Sequence, residues 1–343
     1  MQIGADQVTI KVVLINDTLA DGHFGCARVM GTIETLTAEN GISIIGRSPV
    51  HMDWQSDQSV LSAMSEADAV LVNGEGTIHD DRPAARRLVG VADYCASIGK
   101  PAVLINASWF SNGPDLLDMA SRFAIIAVRE SESEQQLRDA GLTCRRMADL
   151  ALYEEIQPLP RSNRVGVTDS VLSDVALQLD LFRRRHKGEI VNLFHGQDGI
   201  AGFRFFLQLF GARRALGDPV RLGKAVRAAI AFYRSQMPTD DSLLSEIARL
   251  ALLVTGRFHA AIFALASLTP LLAVESNTPK ISATLKDAGV DPWRVRPDAG
   301  FDAELLQRAS RWTGDEEANI RDFLSDNRVR QKQLFKDIAA LAA

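Results

Sequence analysis

The chain has 343 residues, 46% of them hydrophobic and 24% charged, with a formal net charge of -5. That length favours two domains of about 150–170 residues, and the composition is that of an ordinary globular protein. The acidic balance excludes general nucleic-acid binding, and the one basic run, Arg183–Arg185, is expected on a solvated helix face.

Taken in chain order, Gln7–Asn16 reads as a strand and Ala27–Glu39 as a helix. ISIIG, starting at Ile42, is a second strand, and Ser59–Ala67 the next helix. Asp68–Gly76, Pro101–Asn106 and Phe123–Glu130 follow as strands with helices between them. Continuous Val/Ile/Leu runs separated by helices imply a parallel sheet covered on both faces. The proline-bearing stretch Glu154–Asn163 is the best linker. Beyond it the pattern restarts, with RVGVTDS, EIVNLFH, LALLVTG and PLLAVES as strands and Val220–Ser235 and Asp241–Leu250 among the helices. A helical segment closes the chain, with Ile320, Phe323, Leu334, Ile338 and Leu341 partly at helical spacing.

The expected architecture is therefore α/β, with two Rossmann-like domains facing a cleft. Residues 1–157 form the first and 158–315 the second, and 316–343 pack back on the first because their apolar positions need a partner. Cys26, Cys95 and Cys144 show neither a disulfide framework nor metal-ligand spacing. No signal-like segment is visible, and the apolar runs are too short to span a bilayer. A reducing, cytoplasmic setting without a metal is expected, with peripheral membrane contact left open.

In open parallel sheets ligands bind beyond the carboxyl ends of the strands, so strand-end residues are the candidates. Arg257 and His259 stand where a strand ending in LLVTG meets the apolar helix RFHAAIFALASL. There a helix N-terminus favours an anion, Arg offers a planar fork and His a movable proton. The plain alternative for either alone is a capping arginine and a hydrogen-bonded core histidine. Val72–Asp81 (VNGEGTIHDD) follows the third strand, Gly74 and Gly76 allowing close backbone approach and Glu75 and His79 supplying an acid and an imidazole. Arg129 directly follows a strand, where a salt bridge to a nearby acid is the competing role, and Ser131 is placed to cap the next helix. The loop from Asn16 to Val29 is unusually polar, with Asp17, His23 and Gly25.

These stretches resemble the polysaccharide pyruvyl transferase family over most of the chain. GRFHAAIFALASLTPLLAVESNTPK looks like the family's Arg-x-His segment, apolar helix, Pro-led strand and lysine. AVRESES, Leu137, Gly141 and ADLAL look like its Arg-(acidic)-x-x-Ser … Leu … Gly … Asp-x-Ala-Leu block, and VLVNGEGTI occupies the place of its glycine-rich turn. The resemblance implies a glycosyltransferase-B-like fold. It also implies transfer of pyruvate from phosphoenolpyruvate to two sugar hydroxyls as a cyclic ketal, with no cofactor beyond that donor. Arg129, Arg257 and His259 match donor-binding or proton-transfer positions, and Lys280 a recurring lysine. His259, with Glu75 or Asp17 as base, is the expected catalytic set. His23, Gly74, Gly76 and His79 join the arginines and Lys280 in substrate binding. The acceptor is expected to be a saccharide or lipid-linked saccharide, and the oligomeric state is open. The chain departs from the family at HFGC, residues 23–26, where Asn-x-Gly-Asp is usual, and at Glu75, where glycine is commoner. The rival readings are a nucleotide-sugar glycosyltransferase on the same architecture and a non-catalytic binder of anionic saccharides. Arg257→Ala and His259→Ala are expected to leave the fold intact if both side chains line solvent.

Overall fold

The computed structural model of the protein describes residues 9–157 and 159–342. These form two compact units. The first comprises the chain up to Asp21, Val29–Tyr153 and the chain from Asp326, and the second comprises Gly22–Arg28 and Glu154–Ser325.

The first unit is built on β1 (Ile10–Asp17), β2 (Ile42–Pro49), β3 (Ala69–His79), β4 (Ala102–Phe110), β5 (Ile125–Val128) and β6 (Arg145–Arg146). Between them run α1 (Phe24–Glu39), α2 (Gln58–Glu66), α3 (Pro83–Ser97), α4 (Pro114–Ala120) and α5 (Ser131–Asp139). All strand pairs are parallel, in the order β2-β1-β3-β4-β5-β6. Val12–Ile15 pair in register with Ala69–Val72, and both runs are buried on either face. Each buried Val, Leu or Ile among them contributes about 1.5–3 kcal/mol, and strands buried on both faces read as unbroken apolar runs. Asp57 caps α2 by accepting from the Ser59 and Val60 N–H groups, and Pro83 opens α3, where its missing N–H costs nothing. Of the strand expected over Gln7–Asn16, Gln7 and Val8 lie outside the described residues.

The glycine-rich turn expected after the third strand is instead more strand. β3 continues to His79, paired with β4 as far as Phe110, with a register shift between Glu75 and Ile78. Gly74 serves this pairing, since a Cβ there would collide with Ala107 of β4. Mutual extension gives both backbones hydrogen-bond partners in a buried setting.

The second unit holds β7 (Val165–Ser170), α6 (Ser173–His186), β8 (Glu189–Ile190), α7 (Gly199–Leu209), α8 (Pro219–Arg234) and α9 (Asp240–Ala248). These are followed by β9 (Leu252–Gly256), α10 (Phe258–Ala266), β10 (Leu271–Val274), α11 (Lys280–Asp287), β11 (Val295–Arg296) and α12 (Ala303–Ala309). Its sheet is also wholly parallel, in the order β11-β10-β9-β7-β8. The expected strand EIVNLFH shrinks to two residues because the chain then turns to other partners. Asn192 donates to Phe232 O and accepts from the Phe194 N–H, and His23 forms an isolated antiparallel bridge with Phe194. Helix α7 and its C-cap Phe210 pack on α8, with Phe206, Phe210 and Phe232 in one buried cluster.

The final helix, α13 (Gly314–Ala342), begins in the second unit and ends in the first. In the first unit Gln331 donates to the carbonyls of Ala148 and Asp149, and Leu334, Phe335 and Ile338 are buried. Counted within each unit, both sheets run second, first, third, fourth, fifth, with β6 added as a sixth strand in the first unit. In that doubly wound order the switch point, where a crevice opens beyond the carboxyl ends, lies between the first and third strands. It falls between β1 and β3 in the first unit and between β7 and β9 in the second.

Candidate functional site

In the second unit the switch point is occupied by an ion pair. Asp169, near the end of β7, accepts from Arg257 Nε at 2.9 Å and Nη2 at 2.6 Å, a bidentate pairing of two buried groups. Arg257 follows β9 directly and is the N-cap of α10. Thr168 and Thr255 share a hydrogen bond of 2.8 Å, and Thr255 Oγ1 accepts from the Arg257 N–H, so the strand ends are braced behind the guanidinium. The Arg257 guanidinium lies 4.9 Å from the Phe194 ring centroid, a cation–π contact. Nε and Nη2 are thus committed, and among the described residues no acceptor engages Nη1. The first bond of α10 runs from the Ala261 N–H to Arg257 O, so the amides of the first turn have no intrahelical partner and add a positive dipole end.

His259 is in that first turn, its ring centroid 5.2 Å from that of His23. His23 is held by its bridge to Phe194, by Phe24 N–H donating to Leu193 O and by His195 N–H donating to Gly22 O. Gly25 is the reason the two imidazoles can approach: any Cβ at that position would overlap the His259 ring. Burial holds the His23 pKa well below the usual histidine value, and the positive neighbours His259, Arg257, His195 and Lys280 push it the same way. His23 is therefore neutral near pH 7. Its Nδ1 accepts the Gly25 N–H at 3.0 Å, which puts the ring proton on Nε2.

His23, Cys26 and His259 bring potential ligand atoms within 4.8 Å of one another, a grouping that the spacing of the cysteines gives no hint of. The donor set does not fit a cation. A metal-binding histidine donates its second ring N–H to an acceptor, whereas His23 Nδ1 is itself an acceptor and Nε2 carries the proton. The surrounding charge is also positive. The cluster suits an anion. Lys280, the first residue of α11, adds its charge here while donating to Asn277 Oδ1, its Nζ 6.0 Å from the Phe258 ring centroid.

In the first unit the switch point is a network of amides around a carboxyl. Asn16 Nδ2 donates to Asn73 O at 2.6 Å, and Asn73 Nδ2 to Glu75 Oε1 at 3.0 Å. Thr18 donates to the same Glu75 oxygen at 2.7 Å. Burial raises the Glu75 pKa, and the Asp149 charge raises it further, against the lowering effect of Thr18, Arg129 and Asn73. Asn16, Glu75 and Asn106 all have positive φ, of 65°, 39° and 54°. Left-handed backbone at non-glycine residues costs of order 1–3 kcal/mol each and collects at functional sites.

Arg129, 2% exposed, is fully engaged within the first unit. Its Nη1 donates to Asp149 at 2.6 Å and its Nε and Nη2 to Ser108. The two halves of the motif, AVRESES and ADLAL, are thereby joined through a buried ion pair. Glu130, not Ser131, sits at the N-cap of α5. Asp17 accepts from Arg47 Nη1 at 2.9 Å and from the Leu19 N–H, and His79 lies farther along β3 against Asp80 at 2.7 Å. Gly76 is half-buried in β3. Arg257 and His259 are core residues at 7% and 9% exposure. The condition for harmless removal, that both line solvent, is not met.

Sequence reasoning gives no role to Asp169, Asn16 or Asn73, and meets Asp149 only as the aspartate of the ADLAL motif. A signal for Asp169 exists: it stands near the end of the strand RVGVTDS, the same kind of position that singles out Arg257.

An alpha,alpha-trehalose-phosphate synthase (UDP-forming) from Burkholderia vietnamiensis aligns over 98% of both chains with 11% identity and a TM-score of 0.49. An uncharacterized protein from Klebsiella pneumoniae aligns over 84% of this chain and 92% of its own, with 10% identity and a TM-score of 0.43. TarM aligns over 82% of this chain and 58% of its own, with 10% identity and a TM-score of 0.40. No curated protein matches the chain. The sequence model of the polysaccharide pyruvyl transferase family matches residues 12–278, a span that includes both switch points and the Arg257–His259 turn. The chain belongs to the polysaccharide pyruvyl transferase family.

Proposed function

We propose that this transferase moves a pyruvyl group from phosphoenolpyruvate to two hydroxyls of a saccharide or lipid-linked saccharide in the cytoplasm, forming a cyclic ketal. The observation that carries the reading is the arrangement of the Arg257–His259 turn in the second unit. Arg257 is braced by Asp169 with Nη1 unengaged, and His259, neutral His23, Lys280 and the α10 N-terminus surround it. Because Asp169 offsets the charge of Arg257, the net attraction for a dianion rests on Lys280 and the helix dipole, while Arg257 supplies direction.

Chemically, the donor's methylene carbon gains a proton, one sugar hydroxyl adds to the adjacent carbon, the C–O bond to phosphate breaks, and a second hydroxyl closes the ketal. Two hydroxyl protons are released, one balancing the proton on carbon and the other leaving with inorganic phosphate. His259 is assigned proton donation to the donor and His23 Nε2–H a hydrogen bond to its anionic oxygens. Glu75 is the proposed base for the acceptor hydroxyl, since its raised pKa gives it basicity that an ordinary carboxylate lacks. Asp17, engaged by Arg47, is the weaker candidate.

The test is release of inorganic phosphate from phosphoenolpyruvate in the presence of candidate saccharides, with the ketal followed by mass spectrometry. Stabilisation by nucleoside diphosphates and none by phosphoenolpyruvate would replace this reading with nucleotide-sugar glycosyl transfer.

A further inference from the structure

We propose that the second unit carries a docking surface for an anionic lipid bilayer, formed by α7, the turn after it and the start of α8. In a chain of net charge -5, residues 199–235 hold seven Lys or Arg and a single acid, Asp218. The three-dimensional arrangement gathers part of that charge. A groove of about 960 Å³ is lined by Arg204, Arg213, Arg214, Leu207, Leu216 and Leu222. No salt bridge among the described residues engages Arg204, Arg213 or Arg214.

The same stretch exposes aliphatic side chains that a free surface gains nothing by showing: Ile200 at 76%, Leu216 at 72% and Val220 at 67%. Val171, also exposed, lines the same groove and stands one residue beyond β7. Aliphatic groups beside unpaired arginines match a bilayer interface, where the former enter the acyl boundary and the latter reach the headgroups. A small soluble anion has no use for the aliphatic rim. A second copy of this chain placed face to face would set like charges against each other. Single-stranded nucleic acid is held by stacking on exposed aromatic rings, and the most exposed apolar groups here are aliphatic. The unpaired arginines and the exposed aliphatic side chains together favour the bilayer. The inference does not depend on which donor the enzyme uses.

The experiment is co-sedimentation of the full-length protein with phosphatidylcholine vesicles, with and without about 30% phosphatidylglycerol. Each Lys or Arg at an anionic surface contributes roughly a fivefold factor in partitioning. Binding is expected to the anionic vesicles only, to fall as salt is raised, and to weaken about twentyfold or more in Arg213→Glu/Arg214→Glu. Leu216→Gln is expected to weaken it several-fold at low salt. The charge-matched control Arg296→Glu/Arg311→Glu, with Arg296 in the strand at the opposite edge of the sheet, is expected to bind as wild type. Circular dichroism verifies folding of each variant, and should the double variant misfold, Leu216→Gln and the salt series of the wild type decide alone. The proposal is overturned by absence of binding, by equal binding to pure phosphatidylcholine, or by a folded double variant that binds like wild type. It is equally overturned if the wild type ignores vesicles and instead binds single-stranded DNA, or dimerises, through the same arginines.

Discussion

Asp169→Ala tests whether the charge at the second switch point is structural, functional or both. The change leaves the Arg257 guanidinium, 9% exposed in its side chain, without the carboxylate that takes two of its hydrogen bonds at 2.9 and 2.6 Å. Breaking a buried pair from one side costs about 3–5 kcal/mol, because the surviving charge stays desolvated. For a unit of this size each kcal/mol shifts melting by about 2–4 °C, so the unfolding transition should fall by about 6–20 °C. Arg257→Ala strands Asp169 in the same way, and the double variant Asp169→Ala/Arg257→Ala should recover about 1–3 kcal/mol relative to the sum of the singles. Calorimetry or urea unfolding of the four proteins measures that coupling. Titration with phosphoenolpyruvate measures the second consequence. If the donor takes Nη1 as proposed, affinity should fall by about 1.5–3 kcal/mol, or roughly 10–150-fold, in both variants that lack Arg257. An Asp169→Ala protein that melts with wild type, or an Arg257→Ala protein that binds phosphoenolpyruvate normally, would refute the reasoning.

Glu75→Gln keeps the acceptor oxygen used by Thr18 and Asn73 but removes the buried charge. Since the folded pKa of Glu75 is raised, its contribution to stability is present below about pH 4.5 and is lost as pH rises through the folded value. The variant should therefore melt higher than wild type at pH 8 and lose about 10²–10⁴-fold in turnover; a lower melting temperature there contradicts the burial argument. His23 has the opposite sign: its depressed pKa gives stability above about pH 6.5 that is lost as pH falls through the folded value. A melting series from pH 8 to pH 5 should fall more steeply for wild type than for His23→Gln, and parallel curves would exclude a buried neutral His23. Gly25→Ala forces a methyl group into the His259 ring and should cost about 1–3 kcal/mol by overpacking along with most of the turnover, read by melting and phosphate release.

The two sheets are legible in the sequence because strands buried on both faces need unbroken apolar runs, as in KVVLIN and ALLVTG. The turn at Arg257 and His259 is legible for a related reason: polar residues at the end of such a run need an explanation. Their partners are not. Asp169 is 88 positions from Arg257, and a lone aspartate acquires meaning only once β7 is known to lie beside β9. The cluster of His23, Cys26 and His259 is hidden for the same reason. Gly74 misleads because a glycine that opens a turn and one that lets two strands approach look alike in one dimension. Helix α7 escapes because Phe203, Phe205, Phe206 and Leu207 are nearly contiguous and blur the 3.6-residue stripe.

The chain crosses between its two units at Asp21, Arg28, Tyr153 and Ser325, and two of those crossings fall inside the continuous helices α1 and α13. Neither unit is therefore a separable stretch of gene. A fragment ending at Tyr153 would present Gly22–Phe24 without the 193–195 backbone that their hydrogen bonds require, and would lack the Gln331 amide that caps the carbonyls of Ala148 and Asp149. Recombination that exchanged one unit for a homologue's would have to carry three segments together for the first unit or two for the second, so neither unit can be swapped by a single crossover.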